Sequence, residues 1–452
     1  MRTDEPVLKR SDFGTDFHWG VSTAAYQVEG AYNIGGKGLS VWDVFANTKG
    51  NIPSGENANM TCDFYHRYVH DLVIMSGLNI PCYRFSISWS RLFPNGTGKV
   101  NPEGLAFYDN VIDLCLELDI EPWVTLYHWD LPQALEEQGG WTNRRIINWF
   151  SDYVAFCVEH FGDRVKRWMV LNEPMAFTGA GYFLGIHAPG KRGLTNFLSA
   201  AHHAALCQAE GGRIIRSLRG DCKIGTTFSG SHVEPFTSNE TDILAAAKVD
   251  TLLNRVFIEP LLGMGYPLGE LKVLQRLEKH VLQHDEARLQ FDMDFIGVQS
   301  YTREIVKHSY FVPFVNAQIV KAGKRTTNTT SMNWEVYPES ISRMLKKYQA
   351  YANIPEVIVT ENGAAFPDVV DEDGRVNDVQ RVQYLQSHIR EVYKAKQEGV
   401  KVSGYFVWSF LDNFEWAEGY RPRFGLVYVD FKTQKRFIKS SGDWFRRFLS
   451  QV

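Results

Sequence analysis

Along the chain, short apolar or β-branched runs alternate with longer stretches of helical periodicity. Eight such runs stand out: 17–26 (FHWGVSTAAY), 80–88 (IPCYRFSIS), 120–127 (IEPWVTLY), 167–172 (RWMVLN), 222–230 (CKIGTTFSG), 295–301 (FIGVQSY), 357–362 (VIVTEN) and 402–410 (VSGYFVWSF). Between them lie amphipathic segments such as NPEGLAFYDNVIDLCLELD and NRRIINWFSDYVAFCVEHFGDRV. In the second of these, Ile146, Phe150, Tyr153, Val154, Cys157 and Phe161 share one helical face. Near-continuous apolar strands interleaved with one-sided helices predict a parallel sheet covered by helices, and eight repeats predict its closure into a (β/α)8 barrel. The alternative is an open, doubly wound sheet. Against it, no GxGxxG follows any strand, and GAYNIGGKG lacks the GK[ST] ending of a phosphate loop.

No Pro-rich, Ser-rich or charged linker interrupts the pattern, so residues 1–452 read as one domain. The balance of 48 Lys+Arg against 52 Asp+Glu argues against a nucleic-acid partner, which needs a clustered cationic surface. No apolar run reaches the 18 or so residues of a membrane span, and the N-terminal stretch MRTDEPVLKRSDFGTDF has no signal-peptide core. A cytoplasmic protein without a membrane partner is the expectation. The six cysteines form no CxxC pair and read as reduced core residues. Aromatic residues reach 13%, with 12 Trp, and stacking on carbohydrate is one use for such a surplus.

A barrel of this kind carries its chemistry at the C-terminal ends of its strands. The residues closing the runs are Gln27, Arg84, His128 with Trp129, Asn172 with Glu173, Tyr301, Glu361 and Trp408; the fifth run closes without a reactive group. Glu173 and Glu361 face one another across the expected mouth. Two opposed carboxyls suit glycoside hydrolysis, in which one protonates the departing oxygen while the other attacks the anomeric carbon or activates water.

The blocks FHWGVSTAAYQVEGA, YRFSISWSRLFP, TLYHWDLPQAL, VLNEP, VIVTENG, YFVWSFLDNFEW and NFEWAEGYRPRFGLVYVD, in this order over essentially the whole chain, resemble glycoside hydrolase family 1, the retaining β-glycosidases. The resemblance implies a β-glucosidase that removes terminal β-linked glucose from short oligosaccharides or aryl and alkyl glycosides, with no cofactor and no metal. It implies Glu361 as nucleophile, with Arg84 and Tyr301 keeping it ionised, and Glu173 as acid/base, with a pKa raised by the nearby negative charge. The same mapping places Gln27, His128, Asn172, Glu415 and Trp416 around the nonreducing sugar. Trp408 lies beneath that sugar and Trp129 beside it, and Trp334 and Phe424 line the leaving-group side and the pocket wall. Where the family shows Asn-Tyr-Tyr, this chain has Gln299, Ser300 and Tyr301, a departure expected to alter the leaving-group subsite.

Glu415 would repel a phosphorylated sugar, and a Glu at position 173 favours O-glycosides over thioglucosides. Other outcomes compatible with the residues are a β-galactosidase or β-fucosidase, a transglycosylase, and a noncatalytic sugar-binding barrel. His66 with His70 and His280 with His284 have helical spacing but no HExxH or third ligand, and read as partly exposed helix residues; His202 and His203 read as helix packing. No GxSxG elbow occurs.

Overall fold

The computed structural model describes residues 8–451, so the first seven residues of the N-terminal stretch discussed above lie outside it. All eight apolar runs form strands: β1 (His18–Ser22), β2 (Cys82–Ser86), β3 (Glu121–Tyr127), β4 (Arg167–Asn172), β5 (Lys223–Ser229), β6 (Phe295–Gln299), β7 (Val357–Asn362) and β8 (Val402–Trp408). They pair in parallel, each with its sequence neighbours, and β8 closes on β1. The open-sheet alternative is thereby excluded. Helices follow the strands in turn: α1 (Phe64–Gly77), α2 (Pro102–Glu117), α3 (Ile146–Phe161), α4 (Leu194–Leu218), α5 (Glu240–Asp250), α6 (Glu339–Gln349), α7 (Val379–Gln397) and α8 (Ser440–Leu449).

Local chemistry accounts for the helices. α2 starts with proline at its first turn, behind Asn101, whose side chain accepts from the Glu103 amide at 3.3 Å. In α3 the six residues picked out by periodicity are all buried. The alternation is broken after β5, where α5 packs through Ala245, Ala246 and Val249 on an added three-stranded sheet (His232–Pro235, Arg303–His308, Ala317–Ile319) instead of on the barrel.

Inside the barrel, one layer takes a residue from every strand. Cys82, Trp123, Met169, Phe295, Ile358 and Phe406 pack into one cluster, and the Phe406 and Phe295 rings fill the space left by their register partners Gly20 and Gly225. A β-carbon on Gly225 would enter the Phe295 ring. This plug makes the barrel a packed core and forces the next inward positions to form a floor facing the C-terminal mouth. With a period of two, Cys82 gives way to Arg84, Gly225 to Thr227 and Phe295, four residues on, to Gln299.

All six cysteines are buried and free. No helix among the described residues is long and apolar enough to cross a membrane.

Candidate active site

A cavity of about 320 Å³ opens above the plug at the C-terminal ends of the strands. Its wall contains eleven of the fourteen residues singled out from the sequence: His128, Trp129, Glu173, Gln299, Tyr301, Trp334, Glu361, Trp408, Glu415, Trp416 and Phe424. The other three, Gln27, Arg84 and Asn172, are fully buried directly behind it. β4 and β7 lie three places apart round the barrel, so the two carboxylates are not diametrically opposed as expected, although both face the same cavity.

Backbone geometry sets the wall. Glu173, Trp129 and Trp416 all hold positive φ angles, of 44°, 78° and 47°. Non-glycine residues adopt this region at a cost, and it turns each side chain sharply out of its strand or loop toward the cavity. Gly363, directly after β7, has no such freedom of neighbours: a β-carbon there would overlap the carbonyl oxygen of Trp408. The close approach joins the ends of β7 and β8, and with them Glu361 and Trp408.

The two carboxylates differ in their partners. Glu361 accepts from Arg84 Nη1 and Gln299 Nε2 (2.7 Å) on one oxygen and from Tyr301 Oη (2.7 Å) on the other. Burial pushes its pKa up, while the Arg84 charge and the Tyr301 and Arg84 hydrogen bonds pull it back. The two donors expected from the sequence, Arg84 and Tyr301, are both in place, and burial, the larger effect, acts against them. Glu173 accepts no side-chain hydrogen bond among the described residues. Burial first, and the charge of Glu361 second, hold its pKa well above the ordinary range, so burial outweighs the neighbouring charge on which the expectation rested. Of the pair, Glu173, without donors, is the more strongly raised.

Asn172 organises the floor. Its Oδ1 accepts from Arg84 Nη2 (2.6 Å), Gln299 Nε2 (2.7 Å) and Thr227 Oγ1 (2.9 Å). Its Nδ2 is then the donor to His128 Nε2 at 3.0 Å, which leaves the imidazole proton on Nδ1. Burial, with Arg84 second, holds His128 well below its usual pKa, so the ring is neutral. Gln27 Nε2 donates to Asn413 Oδ1 (3.1 Å), the Phe414 carbonyl (2.9 Å) and Glu415 Oε2 (3.3 Å), tying the first βα connection to the loop after β8. Burial and then the Glu361 charge raise Glu415 to about 8. The aromatic wall has two parts: Trp416 lies 4.6 Å from Trp129, and Trp334 5.3 Å from Tyr301 and 6.1 Å from Phe424, centroid to centroid.

Gln299 lies on Glu361 and Asn172, on the floor, and not at the leaving-group side where its departure from the family pattern was expected to act. Ser300 is buried against Ser340 (3.2 Å) and does not line the cavity. Sequence reading missed His187 and Met332, which reach the wall from loops, and Glu304, which reaches it from the added strand Arg303–His308; no periodicity marks any of the three. His66 pairs with Asp63 at 2.6 Å, His202 with Asp285 at 3.0 Å, and His203 with the Trp141 carbonyl at 2.8 Å. His18, Cys82 and Glu121 bring possible metal-ligand atoms within 4.8 Å of one another at the opposite end of the barrel. Arg167 already contacts both Glu121 (3.1 Å) and His18 (3.0 Å) there, supplying the cation.

A closed βα barrel whose mouth holds one carboxyl ringed by donors and a second one buried without donors, between aromatic walls, defines the class of barrel glycosidases. The chain belongs to glycosyl hydrolase family 1, whose model matches residues 9–451. It is 45% identical to β-glucosidase A of Thermotoga maritima, covering 96% of each chain, and 43% identical to a 1,4-β-D-glucan glucohydrolase of Thermotoga neapolitana, covering 96% and 97%. Its fold is similar to that of a Thermotoga maritima β-glucosidase solved in complex with deoxynojirimycin, with a TM-score of 0.93 at 43% identity over 97% of this chain and 98% of that one.

Proposed function

We propose that the chain is a retaining β-glucosidase in which Glu361 is the nucleophile and Glu173 the acid/base. In the first step the Glu361 carboxylate attacks the anomeric carbon, the bond to the leaving oxygen breaks, and Glu173 gives that oxygen its proton. The product is a glycosyl ester on Glu361. Its formation removes the negative charge that helped to raise Glu173, so the Glu173 carboxylate can then take a proton from water as the water attacks the same carbon. Glu361 departs, and the configuration is retained.

The observation that carries this reading is the asymmetry of the pair: three donors on Glu361, none on Glu173. Gln27, His128, Asn172, Glu415 and Trp416 hold the nonreducing sugar. The second Nδ2 proton of Asn172, which His128 leaves free, can meet the 2-hydroxyl of a bound sugar, a contact that strengthens in the transition state. Trp408 supports the apolar sugar face and Trp129 flanks it, while Trp334 and Phe424 border the leaving group. Relatives named β-glucosidase and 1,4-β-D-glucan glucohydrolase support glucose as that sugar and a small glycoside as the partner. The chain works as one barrel unit without a cofactor, and its six free, buried thiols suit a reducing, cytoplasmic setting.

A panel of nitrophenyl β-glycosides differing only in the sugar tests the reading. The glucoside should give the highest kcat/KM, with the β-anomer of glucose released first; a preference for galactoside or fucoside, or an inverted product, would reject it.

A further inference from the structure

On the basis of the β-glucosidase reading, we infer that Glu304 is a specificity-determining residue of the leaving-group side, which selects a hydroxyl-rich leaving group, a second sugar, over an aryl one. Glu304 lines the cavity but has no part in the chemistry assigned to Glu173 and Glu361. It sits second in the strand Arg303–His308, opposite Val233 of the neighbouring strand. Side chains alternate along a strand. Arg303 accordingly turns the other way, to Glu234 (2.8 Å) and Glu335 (2.9 Å), and Glu304 is left facing the cavity.

Topology gives the side. The groups that hold the nonreducing sugar come from the ends of β1, β3, β4 and β8, whereas Ser229, Ser231, Thr302 and Glu304 end or follow β5 and β6. In the strand order β5 lies directly across the barrel from β1. A sugar bounded by Gln27, Glu415 and Trp416 therefore directs its leaving group toward Glu304, between the Trp334 face and the polar edge of Ser231 and Thr302.

The carboxyl has nothing else to do. Among the described residues its side chain makes no hydrogen bond and no ion pair. Arg325, the cation that acts on it, is committed to Glu335 Oε2 (2.5 Å) and the Val320 carbonyl (3.1 Å). Burial raises Glu304 to about 7 against that opposing charge, the mark of a carboxylate that the protein itself does not hydrogen-bond. A pair of vicinal hydroxyls can donate to both oxygens of such a group; a nitrophenyl ring offers no donor.

The test compares kcat/KM for cellobiose and for p-nitrophenyl β-glucoside in the unaltered protein and in Glu304→Gln and Glu304→Ser, with thermal unfolding measured in parallel. Both parameters report the step in which the leaving group departs, so they differ only in that group. Loss of charge-assisted hydrogen bonds should lower the cellobiose value about 10- to 100-fold and leave the nitrophenyl value within about twofold. An equal fall for both substrates, which is what a merely structural role would give, or no fall for either, would overturn the inference while leaving the β-glucosidase reading intact. Failure of the unaltered protein to turn over either substrate would overturn that reading and the inference with it.

Discussion

At the scale of single residues, the division of labour between two chemically identical side chains comes from their surroundings. Glu361 is buried among Arg84, Gln299 and Tyr301, whereas Glu173 is buried without donors. Replacing Glu361 by Ala should abolish hydrolysis, and azide should restore turnover by attacking from the vacated face to give an inverted glycosyl azide; activity that persists without azide would reject Glu361 as nucleophile. Glu173→Gln should reduce turnover of glycosides with poor leaving groups by about 10² to 10⁴. Glycosylation by a dinitrophenyl glucoside, whose leaving group needs no proton, should suffer much less. Equal losses in that step would count against an acid role. Both glutamates were legible in the sequence because each ends a strand of clear apolar pattern. The balance of burial against charge was not legible, because desolvation depends on everything that packs over the carboxyl.

At the scale of elements, the eight strands could be read from the sequence because strands buried on both faces are almost continuously apolar, and a parallel sheet allows few other arrangements. Loops offered no such signal. His187 and Met332 are placed by tertiary contacts of long connections, and Glu304 by the added sheet under α5, which interrupts the simple repeat. Motif resemblance located Glu415, Trp416 and Phe424, which periodicity alone would have passed over. One element junction invites a direct test. The ends of β7 and β8 meet at Gly363, where any side chain overlaps the backbone of Trp408. Because the obstacle is backbone and cannot rotate away, Gly363→Ala should destabilise the protein by about 1–3 kcal/mol and, by shifting Glu361 relative to Trp408, reduce kcat. Thermal unfolding and steady-state kinetics on the same preparation would check this; a variant unchanged in both would show that the junction can relax without consequence.

At the scale of the whole molecule, the site that performs the chemistry also sets a pH dependence of folding. Glu415 and Glu304 have folded pKa values of about 8 and about 7, above the value near 4.5 of an unfolded glutamate. Between those limits the native state binds more protons than the unfolded one, so this contribution is present in full below about pH 4.5 and is lost as pH rises through 7 and 8. Buried His187, His203 and His388 act with the opposite sign, each lowered to about 4 by burial. Their contribution is complete above the unfolded value of 6.5 and is lost as pH falls toward 4. The two sets oppose each other between 4.5 and 6.5, but above 6.5 only the carboxyls still titrate. Stability should therefore decline from pH 6.5 to 8.5, at a limiting slope of roughly 1.4 kcal/mol per pH unit for each carboxyl that must ionise. Glu415→Gln should flatten that decline, and adding Glu304→Gln should flatten it further, whereas neither should protect the protein at pH 4, where the histidines govern. Thermal unfolding across this range for the three proteins decides the matter: parallel curves between pH 6.5 and 8.5 would show that Glu415 and Glu304 do not carry the alkaline loss.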